Sequence, residues 1–173
     1  MLFSPSVPQA VTDVVETLLA AQTSGDFVMV AAALQSPVLR ELDRQQKGLG
    51  NLNLAYVFAA LLIQECPPEE CDVLGVPDLR RLVRAATDET LHARLEIADE
   101  IGTPFGIADA KAEDARLFSA LPLAQEFVRR LRLQPETTAE FVRQASRQPG
   151  ATIDEVWAVL YEACATVRGH RGY

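Results

Sequence analysis

The sequence is poor in aromatic residues, histidine and cysteine. Aromatic residues make up 6% of the 173 residues, so the hydrophobic core must be built mainly from aliphatic side chains. The chain contains two histidines, and it has neither a Gly-x-Ser-x-Gly nucleophile motif nor a glycine-rich phosphate loop. Because these elements of catalysis are missing, the sequence favours a protein that is not an enzyme and needs no cofactor.

The cysteines and the apolar segments also limit where the protein can reside. Cys66, Cys71 and Cys164 are an odd number of cysteines, so they do not form a disulfide framework. We therefore expect a reducing compartment, with a cytoplasmic location the simplest choice. The N-terminal segment MLFSPSVPQAV lacks the basic region and apolar core of a signal peptide. The longest uncharged apolar stretch, at 54–63, is shorter than the roughly 20 residues of a membrane span, so we expect no membrane partner.

Positive charge is scarce as well. The chain has 16 Lys and Arg residues against 24 Asp and Glu residues, which gives a net charge of −8. This balance argues against nucleic acid and anionic membranes as partners, because binding phosphate requires a cationic surface. Residues 1–72 carry nine acidic and three basic residues, a net charge of −6. The acidic N-terminal half is therefore a candidate surface for a basic partner protein.

Two wholly apolar segments dominate the hydropathy pattern. The stretch LAYVFAALLI at 54–63 shows no polar stripe, and a helix that is apolar all round is buried on most sides. It predicts a central helix at about 52–66, which Pro67 and Pro68 stop. The stretch FVMVAAAL at 27–34 would allow a buried strand, but its three alanines favour a helix.

The other segments have the spacing of amphipathic helices, and they complete the predicted fold. We expect an all-α, single-domain bundle of seven or eight helices around the central apolar helix, with a frayed tail at 168–173. Pro122 is expected to separate a helix at 107–120 from a second helix at 123–133. Because the two apolar segments need many covering neighbours, a homodimer that buries one apolar face is favoured.

The histidine that has acidic residues at helical spacing is a candidate metal ligand. Glu89, His92 and Glu96 lie at i, i+3 and i+7, on one face of a predicted helix. Di-iron four-helix bundles place Glu-x-x-His on two helices, whereas this chain has one such copy, so a dimer would have to supply the second. The simpler interpretation is a solvated helix face whose acidic first turn complements the helix dipole.

A second candidate site is the acidic loop ECPPEECD. Two cysteines five residues apart, Cys66 and Cys71, would bind a soft metal or form a redox pair. Zinc sites prefer a closer pair with two further ligands, and acidic neighbours raise the pKa of a thiol and lower its reactivity. The simpler interpretation is an acidic surface loop with one cysteine packed in the core.

Arginines accumulate on the segment 123–147, which carries five arginines and three acidic residues. A helix-turn-helix DNA reader is conceivable there, but the net charge of the chain weighs against it. Salt bridges to the acidic half or to an acidic partner are the better interpretation. The partner-binding residues that these charges suggest are Glu65, Glu69, Glu70, Arg129, Arg130 and Arg143.

Three functions are compatible with these patterns. The first is a non-catalytic protein-interaction module (an adaptor, regulator or assembly factor) that acts through a helix face or the acidic N-terminal half. The second is a small-molecule sensor or carrier with an apolar pocket between helices. The third is a ferritin-like metal enzyme that uses the single Glu-x-x-His helix. The lack of catalytic motifs and the uneven charge favour the first.

Overall fold

The computed structural model describes residues 8–24, 27–85, 107–145 and 153–169. The helices in chain order are α1 Gln9–Ser24, α2 Phe27–Leu34, α3 Pro37–Gln45, α4 Leu49–Glu65, α5 at 79–85, α6 Ile107–Leu133, α7 Thr138–Ala145 and α8 Ile153–Gly169. Short 3₁₀ turns precede α5 and α7, at Pro68–Glu70 and Pro135–Thr137. The described ranges contain no β-strand beyond one isolated bridge, between Cys71 and Pro77, so the predicted all-α fold is confirmed.

Helix α4 carries a continuous buried stretch in which every residue from 53 to 60 is buried. It contacts α1, α3, α6 and α8, and three of its large side chains, Leu54, Phe58 and Leu62, are 1% exposed or less. Full burial of one such side chain contributes roughly 1.5–3 kcal/mol relative to exposure. The uniformly apolar composition of the segment thus matches a helix that has neighbours on several sides.

The helix begins at Leu49, three residues earlier than the sequence predicted, because the preceding turn has a left-handed backbone conformation that favours glycine. Gly48 adopts φ 82°, a left-handed conformation that costs glycine little. Gly50 is buried, and its N–H donates to Asp43 Oδ1 at 2.9 Å. A β-carbon at Gly50 would lie 3.0 Å from that oxygen and 3.1 Å from the Leu39 carbonyl oxygen. The absence of a side chain here allows α3 and α4 to approach closely.

Helix α8 packs against another side of α4 through aromatic residues whose N–H and O–H groups form hydrogen bonds. The Phe58 ring stacks on Trp157 at 6.0 Å and on Tyr161 at 5.4 Å between ring centroids. Trp157 Nε1 donates to Asn51 Oδ1 at 3.0 Å, and the Tyr161 hydroxyl donates to the Leu18 carbonyl at 2.7 Å. Such pairing lets large aromatic residues be buried without an orphaned donor.

Two boundary predictions are wrong. Pro122 does not separate two helices but lies inside α6, which runs from Ile107 to Leu133. Pro122 is exposed, so its ring lies on a side of the helix that is not packed in the core. The predicted frayed tail at 168–173 is also too long, because α8 continues through Gly169 and ion pairs hold Arg168 in place. None of the described helices is long and apolar enough to cross a membrane.

Candidate functional site

Helix α2 presents apolar side chains to solvent. Val28 is 80% exposed and Leu34 is 38% exposed. We call the exposed residues of this helix the α2 patch; its members are Val28, Met29, Ala31, Ala32 and Leu34. The segment is a helix, as its alanines predicted, and not the strand that its valines would have allowed.

The patch follows from the shortness and the composition of α2. An eight-residue helix makes about two turns and can turn one face to the protein. Val30 and Ala33, three residues apart, are the half-buried residues that pack on the core, and the helix contacts α1. Since every residue of the segment is apolar, the opposite face, with Val28 and Ala32, is apolar as well.

The loop between α4 and α5, residues 66–78, is the second candidate region, and we call it the cysteine loop. It begins with the 3₁₀ turn, in which Glu70 N–H donates to the Pro67 carbonyl at 2.9 Å. It is then closed by Asp72 N–H donating to the Val76 carbonyl at 2.9 Å and by Asp78 N–H donating to the Glu70 carbonyl at 3.0 Å. The loop is therefore an ordered double turn.

Gln125 of α6 fixes the exit of the cysteine loop. Its Oε1 accepts from Leu79 N–H at 2.9 Å, and its Nε2 donates to the Pro77 carbonyl at 2.9 Å. One amide side chain thus forms hydrogen bonds with both the Pro77 carbonyl and the Leu79 N–H, at the point where α5 begins. Sequence reasoning missed this residue, because a glutamine 46 positions from its partner leaves no local pattern.

The structure places the Cys71 side chain beside the segment that begins at Cys66. Cys71 Sγ donates to the carbonyl of Pro67, the residue that follows Cys66, at 3.5 Å. Burial, followed by the contact with Cys71 and by the nearby Glu70 and Glu69 carboxylates, raises the pKa of Cys66 to about 12. Cys66 is therefore a thiol at neutral pH.

The third cysteine is enclosed. Cys164 is 3% exposed and donates to the Phe58 carbonyl at 3.3 Å, and burial is the main cause that raises its pKa. Neutral thiols are poor ligands for soft metals. Within the described ranges, no group of three or more His, Cys, Asp or Glu residues is placed to hold a metal ion.

Two open clefts flank the cysteine loop. The first has a volume of about 680 Å³, and Glu65, Cys66 and Glu69 contribute to its lining. The second has a volume of about 550 Å³, and Cys71 and Arg129 lie on its wall. Both clefts are open to solvent and carry charged residues at their walls, so they differ from an enclosed pocket between helices. The small-molecule carrier stays a prediction.

The acidic residues predicted to bind a partner gather at the cysteine loop, but two of them are paired within the protein. Glu65 contacts Arg168 at 3.0 Å, and Glu70 contacts Arg81 at 3.2 Å. Glu69 is exposed and lines both clefts. Of the three, Glu69 is the one that the described structure presents most openly to solvent.

The arginines predicted to bind a partner also have acidic neighbours on their own helices. Glu126 Oε1 lies 3.6 Å from Arg129 and 2.8 Å from Arg130, and Arg143 pairs with its own helix neighbour Glu140 at 2.6 Å. Arg129 lies across the second cleft from the acidic loop, whereas Arg130 stacks over the Phe141 ring at 4.7 Å, where α6 meets α7. The role of these six residues in partner binding stays a prediction.

Arg168 is a charged residue that sequence reasoning assigned to the tail and therefore missed. Its guanidinium contacts the Glu16 carboxylate at 2.9 Å and 3.1 Å as well as Glu65. The hydrogen bond from Arg168 lowers the pKa of Glu16 below its ordinary value. This three-residue cluster joins α1, α4 and α8 beside the first cleft.

The predicted metal ligands Glu89, His92 and Glu96 lie outside the described residues. A scan against protein-family models, a search of curated proteins and a search of solved structures each found no match to the chain.

Proposed function

We propose that the protein is a non-catalytic protein-interaction module, that the α2 patch is its binding surface, and that a second copy of the chain occupies this surface. The exposure of Val28 at 80%, on a helix that is apolar throughout, is the observation that carries the proposal. Contiguous exposed apolar surface on a soluble protein commonly marks a protein-binding site.

The charge distribution supports a second copy as the occupant. In a two-fold contact the same surface lies on both partners, so residues near the axis face their own copies and like charges would repel. The chain has a net charge of −8, yet residues 27–37 contain no charged side chain. The patch is thus a stretch on which two acidic molecules meet without direct charge repulsion.

The side-chain sizes on the patch support close helix packing. Ala31 and Ala32 follow Val28 at i+3 and i+4, so a protruding side chain lies beside small ones on one face. Helices pack at about 8–10 Å between axes, with the shorter distances where side chains at the contact are small. Val28 of each copy would fill the space above the alanines of the other.

The charged alternative is less well supported by the geometry. Glu65, Glu70, Arg129, Arg130 and Arg143 each contact an oppositely charged side chain of the same chain. A partner would have to replace those contacts, and exposed pairs contribute only about 0–1 kcal/mol. Burial of one valine contributes roughly 1.5–3 kcal/mol and occurs twice in a symmetric contact.

The test is sedimentation velocity over a range of protein concentrations, with Val28→Asp and a matched control. Val28 is the second residue of α2, where an acidic side chain suits the helix dipole, so the variant is expected to stay folded. Val73→Asp introduces the same change at a fully exposed valine of the cysteine loop. We expect wild type and Val73→Asp to dimerise alike, and Val28→Asp to dimerise at least about 100-fold more weakly.

Two results would contradict the proposal. One is a wild-type chain that sediments as a monomer at every concentration. The other is a Val28→Asp variant that dimerises as tightly as wild type, which would place the contact elsewhere. Circular dichroism of each variant confirms that the helices are intact.

A further inference from the structure

We propose that Cys66 and Cys71 form a reversible oxidation site, at which a peroxide converts the two thiols into an intramolecular disulfide. The proposal does not depend on the α2 patch. It rests on the tight turn that brings Cys71 back towards Cys66, on the access of both thiols to solvent and on the enclosure of the third cysteine.

The backbone holds the two cysteines in position for this reaction. Cys66 ends α4 with φ −67° and ψ 126°, and Cys71 follows the 3₁₀ turn with φ −111° and ψ 159°. Pro67 and Pro68 between them have restricted φ angles, and Cys71 N–H donates to the Pro68 carbonyl at 3.1 Å. The turn therefore returns Cys71 towards Cys66, and Cys71 Sγ donates to the carbonyl of Pro67, the residue next to Cys66, at 3.5 Å.

Both thiols are reachable by a small oxidant. Cys66 and Cys71 are half-buried, and each lines one of the two clefts beside the loop, Cys66 the first and Cys71 the second. A peroxide is smaller than either cleft. Cys164, by contrast, is buried against the Phe58 carbonyl, so it is not an equivalent target.

The reaction balances with one peroxide per pair of thiols. Cys71 Sγ attacks one oxygen of hydrogen peroxide and the O–O bond breaks. The proton of the Cys71 thiol leaves with the released hydroxide as one water, so that Cys71 becomes a sulfenic acid. Cys66 Sγ then attacks Cys71 Sγ, the S–O bond breaks, and the proton of Cys66 leaves with the hydroxide as a second water. The two sulfurs lose two electrons, which reduce the peroxide, and a dithiol reductant reverses the change.

The positions of the basic residues make the product simple to recognise. No Lys or Arg lies between Lys47 and Arg80, so trypsin leaves Cys66 and Cys71 on one peptide, 48–80, while Cys164 lies on another. The proposed disulfide makes peptide 48–80 lighter by two hydrogens without joining it to another peptide. Cleavage after Glu69 or Glu70 then leaves two fragments that only the disulfide holds together.

The experiment treats the folded wild-type chain with hydrogen peroxide, removes the peroxide and unfolds the chain. The remaining thiols are then blocked with a maleimide in denaturant, and the peptides are mapped without reduction. We expect the internal disulfide in most molecules, one maleimide on Cys164, and recovery of all three thiols after reduction. Cys164→Ala is the matched control and is expected to oxidise in the same way. Cys71→Ser is expected to lose the internal disulfide and to retain a Cys66 that a maleimide still labels after unfolding.

Other products would overturn the proposal. These are a disulfide that joins peptide 48–80 to the Cys164 peptide, a disulfide between two copies of the chain, or sulfinic and sulfonic acids on Cys71 with Cys66 still reduced. Since the wild-type map needs no variant, the result stands even where a substitution prevents folding.

Discussion

Arg168 holds Glu65 through two hydrogen bonds, because its Nε and Nη2 donate to the two carboxylate oxygens at 3.0 Å each. The side chains are 30% and 21% exposed, so water screens this pair less than a surface pair. The same guanidinium binds Glu16 of α1. One arginine near the end of α8 thus ties together three helices next to the cysteine loop.

Replacement of Arg168 by leucine is expected to destabilise the fold by about 2 kcal/mol. The value lies between that of an exposed ion pair and that of hydrogen bonds to a charged group that is left partly buried. Urea unfolding monitored by circular dichroism measures the free energy of unfolding. The control is Arg44→Leu, whose partner Glu41 lies at 2.9 Å on an exposed helix face, and it should change the stability by less than about 0.5 kcal/mol. Equal losses in the two variants would refute the structural role of Arg168.

The pH dependence of stability should reveal Glu16. Its pKa is lowered in the folded protein, chiefly by the hydrogen bond from Arg168, so its contribution is present above the ordinary pKa of 4.5 and is lost as the pH falls through the folded value. The melting temperature of wild type should therefore exceed that of Glu16→Gln by a constant amount between about pH 6 and 8, and the gap should close on further acidification. A gap that widens in acid would contradict the assignment. Glu41→Gln, on the exposed face of α3, is the control.

Gly50→Ala should show how closely α3 and α4 pack. The new methyl group would meet Asp43 Oδ1 at 3.0 Å and the Leu39 carbonyl at 3.1 Å, and the backbone oxygen cannot move without shifting α3. We expect a loss of about 1–3 kcal/mol in the free energy of unfolding, the usual cost of overpacking. Gln64→Ala, at an exposed position of the same helix, should be neutral within about 0.5 kcal/mol. A stabilised Gly50→Ala variant would mean that the two helices are farther apart.

The reactivity of Cys66 should follow its environment. With a pKa raised to about 12 by burial and by its neighbours, its thiolate fraction grows with pH over the whole accessible range. The rate of maleimide labelling at Cys66 should therefore rise about tenfold per pH unit between about pH 7 and 10, as read from peptide maps. A rate that levels off near pH 9, the ordinary thiol value, would show that Cys66 is not buried in this way.

The features that the sequence predicted well are those determined by neighbouring residues. The unbroken apolar run of α4 predicted a buried helix, and the alanines of α2 predicted a helix over a strand. The short spacing of Cys66 and Cys71 also made a thiol pair conceivable. The predicted break at Pro122 was wrong because the free-energy cost of a proline inside a helix depends on whether its face of the helix is exposed. Only the tertiary packing determines that exposure.

Long-range contacts could not be predicted in the same way. Arg168 binds Glu16, which is 152 residues away in the sequence, and the Trp157 indole donates a hydrogen bond to Asn51, which is 106 residues away. Neither pair has a sequence signature, because any arginine or asparagine at the right place in three dimensions would serve. The ion pairs of the predicted charged residues are partly of this kind, since Glu65 pairs with Arg168 across 103 residues, whereas Arg143 pairs with Glu140 on its own helix.

The most direct test of self-association through α2 is native mass spectrometry of the wild-type chain at increasing concentration, followed by the same sample denatured. We expect a species of twice the chain mass that carries no bound molecule and that disappears in Val28→Asp. A chain that stays monomeric at every concentration would contradict an interaction module that pairs through the α2 patch, and so would a dimer that persists unchanged in Val28→Asp.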